Sequence, residues 1–292
     1  MQHPELGPVS YRFAAAVFLV VATPAMAQES DVPKLPPVDM AKLDGDSLSI
    51  GVAGGVVPSY EGSNDYVIAA VPVVRARVSR INITVRGNQA WADLIPTPAG
   101  PGWDFQLGPV VDVNFNRSGA IVDPRVRLLP HRRMAIDAGG YVGLAKTGVI
   151  TSDYDTLGAS VTMAWNVNGV NKSYVITPAL NYSTPLSRKA FVALSASADY
   201  MGEGYADTYF TITPADSVAS TLPAFNAGRG WKDWNASLLG AYSLTGDLTH
   251  GLSLIGGGLY RHLLNDAAAS PVTRIAGSRS QWTGLLGLAY TF

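Results

Sequence analysis

No cysteine occurs in the 292 residues, which excludes a disulfide framework, a thiolate metal site and a cysteine nucleophile. Histidine is scarce, with four in all, and charged residues make up only 15% of the chain, against an ordinary level of about a quarter. A formal net charge of −1 provides no global basic surface, so nucleic acid is not an expected partner. After residue 27 no eighteen consecutive residues are apolar, which excludes helical membrane spans. Closed strands remain as a way to cross a bilayer.

The strand signal is plainest in QWTGLLGLAYTF, residues 281–292. Trp282, Gly284, Leu286, Leu288, Tyr290 and Phe292 share one face, and Gln281, Thr283 and Thr291 lie on the other. Aromatic residues at both ends of an aliphatic stripe suit a strand that crosses lipid, because amphipathic rings settle at the two interfaces. A soluble edge strand could imitate this alternation but would seldom end on an exposed phenylalanine. The ending at Phe292 resembles the assembly signal of outer-membrane barrels, which makes the barrel assembly machinery and outer-membrane lipid expected partners.

At the other end, Arg12 precedes an apolar run from Phe13 to Ala22 and the small-residue site Ala25-Met26-Ala27. Residues 1–27 therefore read as a secretory signal peptide, with an apolar run too short to span as a helix. Residues 28–46 carry Pro33, Pro36 and Pro37 among mixed charges and read as a periplasmic linker. The barrel is expected over residues 47–292.

Within it the period is two. Leu48, Ile50 and Val52 open the first run, and the turn-rich YEGSND at 60–65 ends it. The next run places Arg75 and Arg77 opposite Ile68, Ala70, Val74 and Ala76. Each arginine facing lipid would cost about 2–4 kcal/mol near the midplane, so both belong to the lumen or rim. Ile81, Ile83 and Val85 alternate next, and the stripe then slips to Ala90, Ala92 and Leu94, with a bulge expected at Gly87. Trp103 to Phe115 is the cleanest strand, although Pro109 removes a ladder donor within it. Later runs centre on 134–144, 157–163, 174–182, 192–200, 234–244 and 252–262, and residues 116–132 read as a long loop.

These make eleven runs, whereas bacterial barrels have an even number. The expected fold is an all-β, antiparallel up-and-down transmembrane barrel of about 12 strands, with 10 as the alternative. Counting back from Phe292 puts 202–231 and 264–279 outside. Counting forward conflicts with this, leaving the side of the 60–65 turn open.

PSYEGSNDY at 58–66, DTYFTIT at 207–213, STLPAFNAGRGWKD at 220–233 and YRHLLNDAAASPVTRIAGSRSQW at 260–282 resemble the MltA-interacting protein family, MipA/OmpV. The family's usual Gly-Val is replaced here by Thr211-Ile212, and its Tyr-Ser-Arg by Tyr260-Arg261-His262. The resemblance implies an outer-membrane scaffold that brings a murein lytic transglycosylase to a murein synthase.

Catalytic chemistry has little to work with. His262 has Asp266 and Ser270 nearby in sequence, a weak hydrolytic grouping that would make a lipid hydrolase the remoter alternative. His131 stands beside Arg132 and Arg133, and His250 beside a turn, as solvated surface. Glu203 and Asp207 flank Tyr205 in a wet loop, short of a metal site. Gly256, Gly257 and Gly258 follow no phosphate-binding pattern and read as close strand packing. No catalytic residue, cofactor or metal is expected, and the chain reads as no enzyme. Arg86, Asp104, Asp112, Asp137 and Asp199 are lumen candidates, expected to pair with one another or, as the alternative function, to line a narrow pore.

Overall fold

The computed structural model describes residues 46–98 and 100–292. The expected signal peptide, residues 1–27, and all of the expected linker but Asp46 lie outside these residues. Twelve antiparallel strands close on themselves: β1 Ser47–Pro58, β2 Tyr66–Val78, β3 Ile81–Arg86, β4 Gln89–Asp93, β5 Gly102–Asn114, β6 Ala135–Thr147, β7 Thr156–Asn166, β8 Tyr174–Pro185, β9 Ala190–Met201, β10 Gly230–Ser243, β11 Gly251–Leu263 and β12 Ser280–Thr291. The seam runs between β1 and β12, from Ser49 opposite Thr291 to Val56 opposite Gly284. The N–H of Phe292 donates to the Leu48 carbonyl at 2.9 Å and extends it.

Burial is inverted relative to a soluble protein. Trp282 is 61% exposed and Leu286 64%, whereas Gln281 between the same strands is 2% exposed and Asp233 0%. This arrangement is stable only if the outer solvent is lipid and the polar groups find partners inside. Rings mark both edges of the wall: Trp234, Tyr260 and Trp282 pack at 5.3 and 4.8 Å at one end, and Tyr290 and Phe292 at 4.8 Å at the other. Arg75 and Arg77 stand opposite Ser49 and Ser47 on the inward face, as lipid exclusion requires.

The twelfth strand hid in the slip at Gly87. Residues 81–94 are a tight hairpin, β3 to β4, with Arg86 opposite Gln89; the bulge expected there is instead its turn. Gly87 takes φ +67°, a left-handed value that glycine adopts without a Cβ penalty. Counting this hairpin as two strands restores the parity. The 60–65 turn thus lies at the same end as 202–229 and 264–279, opposite the end that holds the start of β1 and the close of β12. In bacterial barrels that second end faces the periplasm, so the 60–65 turn is extracellular.

Pro109 also finds its reason in β4. The Leu107 carbonyl accepts from Leu94 N–H and Val113 N–H donates to the Asn88 carbonyl, so backbone groups of this parity point toward β4. The β4–β5 ladder runs only from Gln89–Asp112 to Trp91–Val110. The missing donor of Pro109 therefore falls opposite Ala92, where the ladder stops, and the pairing resumes at Leu94 N–H on the Leu107 carbonyl. At Gly257 an added Cβ would run into the Leu238 carbonyl, which is the close strand packing expected of that glycine group.

Candidate functional site

Long outer loops converge over the extracellular mouth. The β9–β10 connection folds into two helices, α1 Glu203–Tyr209 and α2 Pro214–Ser220, and the β11–β12 connection into α3 Asn265–Ala269 and α4 Pro271–Arg274. Helix α2 begins with a reciprocal capping box between Thr213 and Asp216 and with Pro214 in its first turn. Tyr60, Val126, Leu129, Tyr205, Tyr209, Phe210, Ile212, Leu222, Val272 and Ala276, drawn from connections all round the barrel, form one buried apolar core. A core assembled from opposite sides of a barrel must lie across its mouth.

Polar ties fix the cap to the wall. Tyr60 OH donates to the carbonyls of Ala276 at 2.8 Å and Val272 at 3.2 Å. The Gln281 amide, buried on β12, donates to the carbonyls of Ser63 at 2.9 Å and Tyr60 at 3.2 Å, and accepts from Gly62 N–H at 3.1 Å. Arg117 is buried in the cap and donates to the carbonyls of Pro130 and Tyr209 at 3.1 and 3.3 Å. Burial, with Arg132 nearby, lowers its pKa to about 10.

Beneath the cap lies a charge cluster centred on Glu61. Lys232 Nζ donates to Glu61 Oε1 at 2.8 Å and Arg261 Nη1 to the same oxygen at 3.2 Å. Tyr205 OH donates to Glu61 Oε2 at 2.7 Å, and Asn116 Nδ2 does so at 3.1 Å. Lys232 also lies 3.3 Å from Asp199 and 3.5 Å from Asp233, and Arg261 3.5 Å from Asp233. Burial opposes the charge on Glu61, but Lys232 and then Arg261 outweigh it and hold the carboxyl below its ordinary value. The loop glutamate is thus the link by which the β1–β2 turn grips two wall cations and the Tyr205 hydroxyl of α1.

The expected lumen residues behave differently from expectation. Among the described residues, only Asp199 of the five makes an ion pair, and its partner is Lys232. Asp112 accepts from Asn88, Asp137 from Asn166 and Asp104 from Gln106, while Arg86 lies over the Trp91 ring at 5.6 Å. They do not pair with one another because four of them are carboxylates, which repel, and Arg86, the one cation in the set, turns to the Trp91 ring. Glu61, Lys232, Asp233 and Arg261 were not expected. Trp231 to Asp233 is a register shift against β9, and a bulge there turns two consecutive residues inward, with Lys232 3% exposed beside fully buried Asp233.

The grouping of His262, Asp266 and Ser270 does not assemble. Ser270 Oγ donates to the Phe210 carbonyl at 2.6 Å inside the cap, and Asp266 accepts from Gly228 N–H at 2.8 Å. His262 Nδ1 lies 3.1 Å from Ser280 Oγ and 3.2 Å from Tyr260 OH on the aromatic rim. His131 is exposed, with Nδ1 3.1 Å from the Arg132 carbonyl, and the His250 ring meets Tyr290 at 6.0 Å. Glu203 and Asp207 lie on α1, where Glu203 accepts from Arg229 N–H and Tyr205 between them points into the charge cluster. Among the described residues no three His, Asp or Glu side chains are placed to hold a metal.

The chain is similar to the COG4313 outer membrane channel from Pseudomonas putida F1, at 14% identity over 90% of this chain and 100% of that one, with a TM-score of 0.38. It is similar to the outer membrane protein OprD from Pseudomonas aeruginosa at 13% identity over 83% of this chain, with a TM-score of 0.37, and spans 65% of that protein's length. A FadL homologue from Pseudomonas aeruginosa aligns at 12% identity over 85% of this chain and 89% of its own, with a TM-score of 0.34. No curated protein matches. Residues 50–292 match the model of the MltA-interacting protein MipA, and the chain, an outer-membrane β-barrel, belongs to that family.

Proposed function

We propose that this barrel works by holding protein partners at its periplasmic face, and that it neither conducts solutes nor catalyses a reaction. The observation that carries the reading is the cap, whose apolar core lies across the outer mouth and whose Glu61 is bound to Lys232 and Arg261 on the wall. A route for solutes would have to break both. The family's description names interaction with MltA, which in this reading is the murein lytic transglycosylase the resemblance implied and the first partner to seek, with a murein synthase beside it. The periplasmic turns offer a contact surface. Ile150 is 67% exposed and Leu186 68%, and Ile150 sits on a turn held rigid by Asp155, which accepts the N–H groups of Val149, Ile150 and Thr151 at 2.7–2.8 Å. Residues 28–46 add a second contact in this reading. A photo-crosslinking side chain at Ile150 or Leu186 in intact cells should capture a murein hydrolase or synthase. Capture of none, from a barrel that remains folded, would contradict the proposal.

One feature favours the second reading, a narrow gated path. β3 and β4 are short, and β3 pairs with β2 only over Val73–Val78, so the ladder of Val67 to Val71 runs to β1 alone. An open edge is not tolerated against lipid, and this notch above the hairpin is where a path could leave the wall. Steady conductance through single molecules would favour this reading.

A further inference from the structure

The connection between β5 and β6 has a composition that closing the mouth does not require. Residues 116–133 carry Arg117, Arg125, Arg127, Arg132, Arg133 and His131 against a single acidic residue, Asp123. That aspartate is already paired with Arg125 at 2.9 Å. Arg117 is spent inside the cap and Arg132, half-buried, donates Nε to the Thr208 carbonyl at 3.0 Å with its Nη groups left over, while Arg127 and Arg133 are exposed. Asn168 donates to the Met134 carbonyl at 2.8 Å and accepts from Ile136 N–H at 3.1 Å. These bonds tie the β7–β8 turn, which carries the exposed Lys172, to the end of this segment at Met134 and Ile136. Neither Arg133 nor Lys172 makes an ion pair among the described residues.

Apolar surface continues directly below. Phe115, Met134, Trp165 and Val167, on the lipid-facing parity of β5 to β7, are all strongly exposed. About 13 Å further down β7, four residues below Trp165, the outer wall is concave. A groove of about 670 Å³ crosses β6 to β9, within the range of roughly 300–1,000 Å³ typical of small-molecule sites. Elsewhere the same parity carries large side chains, such as Phe105, Leu107 and Leu286. Here Ala159, Ala196 and Ala198 leave a depression between Leu144, Pro178 and Leu180. The groove is part of the lipid-facing wall, so its occupant comes from the membrane. The cations stand at the level of the outer headgroups, where juxtamembrane Lys and Arg attract anionic lipid.

We propose that this face seats a phosphorylated lipid of the outer leaflet, with its phosphate on Arg132, Arg133 and Lys172 and an acyl chain in the groove below. The charge selects the headgroup and the alanines select the chain, so both parts of one molecule are recognised.

The test uses the full chain folded in a zwitterionic detergent, with the heat-induced shift in gel mobility as the readout of barrel unfolding. Dioctanoyl phosphatidate should raise the unfolding temperature, and dioctanoyl phosphatidylcholine and inorganic phosphate should not. High salt should reduce the effect. Replacing Arg132, Arg133 and Lys172 together by Gln should weaken the response to phosphatidate by at least about tenfold. Ala196→Trp, which fills the groove and leaves the cations in place, should weaken it too. Should the triple variant fold poorly, Lys172→Gln alone, on its short turn, should still lower the response. An equal shift with phosphate alone or with phosphatidylcholine, or an undiminished response in the Gln and Trp variants, overturns the proposal.

Discussion

Glu61 shows what a single side chain can do at a distance its sequence position conceals. Within YEGSND it reads as one polar turn residue among several, yet it meets cations 171 and 200 positions further on. No spacing rule links such residues, and the bulge that turns Lys232 inward breaks the alternation that would have placed it. Removing one partner from a buried ion pair costs about 3–5 kcal/mol. Glu61→Gln should therefore loosen the cap and expose the 202–229 connection to protease while the barrel itself resists. The sign of the pH dependence follows from the lowered carboxyl. Its contribution is complete above the ordinary value of 4.5 and is lost as the pH falls through the lower folded value. Limited proteolysis across that acid range should show the cap of the native protein opening and that of Glu61→Gln changing little.

Elements were more legible than contacts, because lipid on one side and a polar interior on the other enforce a strict period of two. The runs around Trp103 to Phe115 and Gln281 to Phe292 could be read directly, outer and inner faces included. The β3–β4 hairpin could not, since two strands of six and five residues with a two-residue turn look like one strand that slips. Gly87→Ala should cost about 1–2 kcal/mol through its left-handed backbone, measurable as a lower urea midpoint for refolding into detergent or lipid. An unchanged midpoint would mean that the turn relaxes. The 148–155 turn makes a separate prediction. Burial disfavours the charge of Asp155, but the N–H groups of Thr151, Val149 and Ile150 hold its carboxyl well below the usual range. Its stabilising effect is present above the ordinary Asp value and fades only in stronger acid. Asp155→Ala should raise amide exchange at residues 149–151 without changing exchange in β6 and β7.

At the scale of the whole molecule, the closed ladder accounts for the membrane location. Unboiled protein should migrate differently from boiled protein on a denaturing gel, and identical migration would speak against closure. The closed outer mouth accounts for the functional reading, and the sequence did not disclose it, because loops that pack on one another carry no period. The most direct measurement is single-channel recording from purified protein in planar bilayers. A capped barrel that works by holding partners should give no stable conductance steps. Stable steps whose size changes with Asp112→Asn or Arg86→Gln would show that the lumen conducts and would contradict it.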